Sequence, residues 1–181
     1  MTNSPTKVLI LGAGKIGTTV GEMLRETEDY DVQFADAHEK SFASSQHNNL
    51  NPILLDVTDE KALRKGLEGQ DAVISTLPYY LDLQVAQAAA DVGVNYFDPT
   101  EDVITARKIR EMAAGASSAF VPQCGLAPGF IAIVAHHLVN LYEEPLDVKM
   151  RVGALPQYPD NALKYNLTWS LDGLINEYCN P

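Results

Sequence analysis

One stretch near the amino terminus, residues 7–36, constrains the fold more than any other part of the chain: KVLILGAGKIGTTVGEMLRETEDYDVQFAD. Val8, Leu9, Ile10 and Leu11 form an unbroken apolar run, as a parallel strand buried on both faces requires. Gly12, Gly14 and Gly17 follow in the spacing G-x-G-x-x-G. The first permits a sharp turn, the second lets backbone approach a pyrophosphate, and the third lets a helix pack closely on the strand. Lys15, Ile16 and Gly17 open that helix, where free amides and the helix dipole favour an anion. Ile16, Val20, Met23 and Leu24 recur at helical spacing, so one face is apolar. Asp36 closes a second apolar run about 20 residues beyond the glycines, where an acid accepts ribose hydroxyls. Strand, turn, helix, strand and acid in this order predict a dinucleotide site.

Asp36 also bears on the cofactor. A carboxylate repels a 2′-phosphate, Ala37 supplies no cation, and His38 and Lys40 do not form the fork that an Arg would. NAD is therefore expected ahead of NADP.

Apolar runs alternate with amphipathic segments as far as Pro122. Strands are predicted at residues 52–55, 72–75, 94–97 and 119–121. Between them lie a helix opened by Thr58 with Leu63 and Leu67 inside, an alanine-rich helix from Pro78 to a stop at Gly93, and a helix over 102–114. This alternation means α/β architecture: a doubly wound parallel sheet of Rossmann type. Residues 38–51, rich in Ser, Asn and His, are expected to form a flexible connection. After Pro122 the pattern changes. The loop at 125–129 opens a helix striped by Ile131, Val134, Ala135, Leu138 and Tyr142, and strand-like runs follow at 148–152 and 163–171. The expected organisation is a dinucleotide-binding domain over 1–122, then a crossing helix and the start of a mixed α+β substrate domain over 123–181. A hairpin and one helix cannot bury a core, so the chain is expected to be part of something longer.

The 13 basic and 24 acidic residues leave a net charge of −11 with no basic stripe, which argues against nucleic acid or an anionic membrane as partner. No apolar run reaches membrane-spanning length, and residues 1–6 hold no signal-peptide core. Cys124 and Cys179 make neither a disulfide framework nor a zinc cluster, and a cytoplasmic setting is expected.

Ligands of open parallel sheets sit beyond the carboxyl ends of the strands. Asp56 and Val57 there suit the adenine edge, or cap the next turn. Thr76, Leu77 and Pro78 suit ribose and nicotinamide, or simply turn the chain. Asp98, Thr100 and Glu101 could orient or deprotonate an amine; equally, Thr100 could cap the following helix. Adjacent His136 and His137 diverge by about 100° and read as surface, not as a metal clamp. Cys124 reads as a small buried hydrophobe. Tyr79 and Tyr80 could stack on substrate or begin helix packing, and Lys164, Tyr165 and Trp169 could line a substrate cleft.

The blocks GAGKIG, LDVTD, GVNYFD, CGLAPGF, RVGALP and LKYNLTWSLDGLINEYCNP resemble the saccharopine dehydrogenase-like family of amino-acid dehydrogenases, with the lysine 6-dehydrogenase branch nearest. The resemblance implies a chain of roughly twice this length, with a substrate domain inserted after the nucleotide half. It implies NAD(P)-dependent oxidation or reduction at a carbon bearing nitrogen and, for the lysine 6-dehydrogenase branch, lysine's side-chain amine becoming a semialdehyde. It also implies a backbone wall for nicotinamide from Gly125, Ala127 and Pro128, with Gly129 closing the loop. The expected partner is a small amino-acid substrate, and a homodimer is an expected assembly. Two alternatives stay open: a saccharopine reductase, for which Arg151 and Lys164 are the few evident cations, and a non-catalytic dinucleotide-binding module.

Overall fold

The computed structural model describes residues 4–43, 52–153, 155–167 and 170–179. Six strands form one parallel sheet: β1 (Thr6–Leu11), β2 (Tyr30–Asp36), β3 (Pro52–Leu54), β4 (Ala72–Ser75), β5 (Asn95–Phe97) and β6 (Phe120–Val121). Their spatial order is β3-β2-β1-β4-β5-β6. The strand order runs outward in both directions from β1, so it reverses between β1 and β4 and a crevice opens there. Leu11 is level with Ala35 on one side and with Ser75 on the other, which brings three strand ends to one rim.

Alternation along β1 sorts the core onto two faces. Leu9 and Leu11 pack with Leu63, Leu67, Val73, Val85, Ala89, Tyr96 and Ile109. These come from α3 (Glu60–Leu67), α4 (Asp82–Val92) and α5 (Val103–Ala113) as well as from the sheet. Val8 and Ile10 pack on the opposite face with Val32 and Phe34, against Val20 and Leu24 of α1 (Lys15–Glu26). Of the apolar stripe expected on α1, Val20 and Leu24 pack on the sheet, whereas Ile16 and Met23 are exposed, because the buried face is made by Gly17 and Gly21 lying close against the strands.

Several local details differ from the sequence reading. Part of the expected flexible connection is helical, as α2 (Glu39–Ala43); residues 44–51 lie outside the described residues. Asp59, not Thr58, caps α3, accepting the N–H groups of Lys61 and Ala62 at 3.0 and 3.1 Å. Thr58 is otherwise engaged, donating its hydroxyl to Asp56 at 2.7 Å. A 3₁₀ turn (Tyr79–Leu81) precedes α4, so the α-helix starts four residues after Pro78, and it ends at Gly93 as expected. Asp102, not Thr100, caps α5, accepting the Thr105 N–H at 2.6 Å.

Beyond β6 come α6 (Phe130–Val139) and α7 (Leu171–Cys179). No strand forms at 148–152, nor in the described part of 163–171, which ends in the first residue of α7. A strand needs a neighbour for its ladder of N–H and C=O groups, and none pairs with these exposed stretches among the described residues. His136 and His137 are exposed on α6. Cys124 is exposed rather than buried, since it sits on the loop after β6, and its thiol donates to the Asp98 carbonyl at 3.2 Å. No helix among the described residues is long and apolar enough to cross a membrane.

Candidate functional site

Gly12 adopts φ +98°, a left-handed turn that a side chain rarely enters, and sends the chain from β1 into α1. At Gly17 a Cβ would lie 2.0 Å from the Gly12 carbonyl oxygen, so only glycine lets the helix pass this close. Gly14 is the helix N-cap and has open space around it. No side chain caps α1, which leaves its amino end open to an anion. Thr76 braces the turn, donating its hydroxyl to the carbonyls of Leu11 at 2.9 Å and Gly12 at 3.1 Å.

Asp36 stands at the end of β2 beside this turn. Its Oδ2 accepts the Ala13 N–H, and its Oδ1 accepts the His38 N–H and the Ser41 hydroxyl. Partial burial pushes its pKa up, but those hydrogen bonds and the nearby His38 outweigh burial and hold it below the usual range. A carboxylate at the rim is the result.

A cleft of about 650 Å³ opens at the reversal of strand order. Its walls include Ile16, Thr76, Leu77 and Pro78 from the β1 and β4 ends, Thr100 and Glu101 beyond β5, and Gly125 and Ala127 of the crossing loop. That loop folds on itself, with the Phe130 N–H donating to the Gly125 carbonyl at 2.9 Å and a cis bond before Pro128. Tyr165, Gly173 and Leu174 close the far side. The structure therefore brings together residues from six of the groups singled out in the sequence, Tyr79 among them. Tyr79 lines the cleft, while Tyr80 packs edge-on against it at 5.8 Å and is exposed; Trp169 lies outside the described residues.

Asp56 and Val57 sit apart from this cleft, past β3. Asp56 holds the turn through Thr58, whose hydroxyl and N–H keep its pKa low, and Val57 is buried in the core. Asp98 lies behind the cleft wall rather than in it. It is fully buried, and its Oδ1 accepts the Thr100 N–H at 2.8 Å and the Gln123 N–H at 3.4 Å.

Sequence reasoning missed Asp82. An acid in the first turn of a helix reads as a dipole partner on the surface, yet Asp82 is buried and accepts the Ser75 hydroxyl at 2.6 Å. The one available signal was Ser75 itself, a hydroxyl ending an apolar strand. Asn176 of α7 was also missed; it is buried and bonds the Asp102 carboxylate. Among the described residues no three His, Cys, Asp or Glu are grouped to hold a metal.

Comparison with known proteins fits this geometry. The family model described as the saccharopine dehydrogenase NADP binding domain matches residues 8–122. Mitochondrial alpha-aminoadipic semialdehyde synthase of Mus musculus is 29% identical over 97% of this chain and 20% of its own length. The NADP(+), L-glutamate-forming saccharopine dehydrogenase of Saccharomyces cerevisiae is 27% identical over 93% of this chain and 39% of its own. Among solved structures, apo saccharopine dehydrogenase (L-Glu forming) from Saccharomyces cerevisiae aligns with a TM-score of 0.68 and 26% identity, over 75% of this chain and 31% of that one. The chain thus spans between a fifth and two-fifths of the length of these relatives.

Proposed function

Since this chain belongs to the saccharopine dehydrogenase family, whose nucleotide-domain model covers residues 8–122, we propose that it is the nucleotide half of an oxidoreductase acting on a carbon–nitrogen centre of an amino acid. The carrying observation is the convergence of an uncapped α1 terminus, the Asp36 carboxylate and a cleft at the strand-order reversal. In this reading the amides of Lys15, Ile16 and Gly17 hold the diphosphate, and Asp36 meets the adenosine ribose. Asp56 and Val57 flank the adenine. Thr76, Leu77, Pro78, Gly125, Ala127 and Pro128 wall the nicotinamide. The bound dinucleotide supplies the hydride chemistry. Thr100 and Glu101 face the substrate amine, with Glu101 taking its proton and Asp98 fixing Thr100 from behind. Residues 1–122 are the dinucleotide domain and 123–181 begin the substrate domain. A cytoplasmic setting completes the reading.

NAD is the proposed cofactor. Asp36 is held ionised, and negative charge at the ribose disfavours a 2′-phosphate. Calorimetry with NAD and NADP tests this; preferential binding of NADP overturns it.

The relatives point to saccharopine as substrate. A narrower reading, oxidation of the lysine side-chain amine as in lysine 6-dehydrogenase, is favoured by one observation: among the described lining residues of the cleft, Glu101 is charged and no Lys or Arg appears. Saccharopine carries more carboxylates and asks for more cations. Formation of reduced nicotinamide with each substrate separates the two readings. Binding of dinucleotide without turnover of either would favour a non-catalytic module.

A further inference from the structure

Directly behind the cleft wall lies a pocket of acids, of which the proposed chemistry uses only Asp98, and only to fix Thr100. Ser75 and Asp98 each stand one residue inside a cleft-lining residue, Thr76 and Pro99, at the ends of neighbouring strands. Asp82 joins them from the start of α4, with Ser75 donating to its Oδ1. Tyr96, Asp82 and Asp98 are all fully buried or nearly so, at 0–1% exposed. The Tyr96 hydroxyl and Asp98 Oδ2 are both buried, with no partner at full hydrogen-bond geometry, and the hydroxyl stands close enough to the Asp98 carboxyl to act on it. Burial favours the protonated form of Asp98, and the neighbouring Tyr96 hydroxyl opposes it. The groups that act on Asp82 are Ser75 from β4, Asp98 after β5, and Glu101 and Asp102 before α5; no cation is among them. Those acting on Asp98 are Tyr96 and the N–H groups of Thr100 and Gln123, while the Cys124 thiol touches its carbonyl.

We propose that Asp82 and Asp98 select the redox form of the bound dinucleotide, retaining protons when the reduced form sits in the cleft and favouring the oxidised form when ionised. This rests on the nicotinamide occupying the cleft as proposed above. An oxidised nicotinamide ring carries a positive charge that the reduced ring lacks. Negative charge a residue behind the wall attracts only the former, and a low-dielectric interior transmits that attraction with little screening. Burial comes first in raising both carboxyl pKa values; for Asp82 the surrounding carboxylates add to it, and the Ser75 hydroxyl opposes it. The Asp82 value is pushed up to about 8, so Asp82 gains its charge across the neutral to mildly alkaline range, and burial raises Asp98 in the same direction.

The test measures dissociation constants of NAD and NADH, and of NADP and NADPH, for the same protein across that range. The expected result is that affinity for the oxidised form, relative to the reduced form, rises on the order of tenfold from pH 6 to pH 9.5. In Asp82→Asn most of that rise disappears. In Ser75→Ala, which keeps the carboxyl but removes the bond that favours its ionised form, the midpoint moves to higher pH. A ratio that does not change with pH in the unmodified protein overturns the inference, as does an unchanged midpoint in Ser75→Ala. If neither form binds the unmodified protein, the dinucleotide reading itself fails, which is a separate outcome.

Discussion

Asp36 Oδ2 accepts the backbone N–H of Ala13 at 3.0 Å, so the acid that ends β2 grips the glycine turn that ends β1. The carboxylate is therefore structural before any ligand arrives. Asp36→Ala is expected to lower stability by about 1–3 kcal/mol without dinucleotide, because three donors lose a charged acceptor. Its folded pKa lies below the unfolded value, so this contribution is present above about pH 4 and is lost as pH falls through the folded value. Chemical denaturation at neutral and acid pH checks it: the two proteins should differ at pH 7 and converge in acid.

The glycines of the turn should separate folding from binding. Gly17→Ala places a Cβ 2.0 Å from the Gly12 carbonyl oxygen and 2.7 Å from Thr76 Oγ1, so α1 must move. A loss of about 3 kcal/mol is expected in thermal unfolding. Gly14→Ala meets nothing within 4 Å. It should unfold near the parent temperature yet bind dinucleotide at least about tenfold more weakly, because the added methyl occupies the pyrophosphate approach.

Asp82 makes an opposite pH prediction to Asp36. Its folded pKa is raised, so the folded state holds a proton that the unfolded chain releases. Stability should fall as pH rises from the unfolded Asp value to about 8, each pKa unit being about 1.4 kcal/mol. Asp82→Asn carries no such charge. Its unfolding free energy should decline less between pH 5 and pH 9 than the parent's, by several kcal/mol. Parallel curves would show that Asp82 does not titrate in this window.

Helix α3 gives a local test of capping. Asp59→Ala removes the acceptor for the Lys61 and Ala62 N–H groups and should cost about 1 kcal/mol. Thr58→Ala removes only the exposed hydroxyl bond to Asp56, keeps the backbone N–H bond to the same carboxylate, and should cost less. Equal losses in urea denaturation would overturn that ranking.

Much of the nucleotide half was readable in the chain because its signals are local. The run Val8 to Leu11, the spacing of Gly12, Gly14 and Gly17, and Asp36 at the end of the next strand each report a backbone or burial demand met within a few residues. Strand β4 was expected over its observed span for the same reason. Caps were less legible. Thr58 and Asp59, or Thr100 and Asp102, are equally good cap chemistry one or two places apart, and only the path of the chain chooses between them. The strand-like runs after α6 carried the period of a strand without a partner to pair with among the described residues.

Residue order alone determined the parallel α/β plan, the phosphate turn and the carboxylate beside it, since periodicity and glycine spacing act along the chain. Only the tertiary structure decided that Ser75, Asp82, Tyr96 and Asp98 meet in one buried pocket, and that Asp98 stands behind the cleft while Thr100 and Glu101 line it. Burial is a property of neighbours drawn from separate strands and helices. An acid's surroundings, and with them its charge, are therefore not written in the residues beside it.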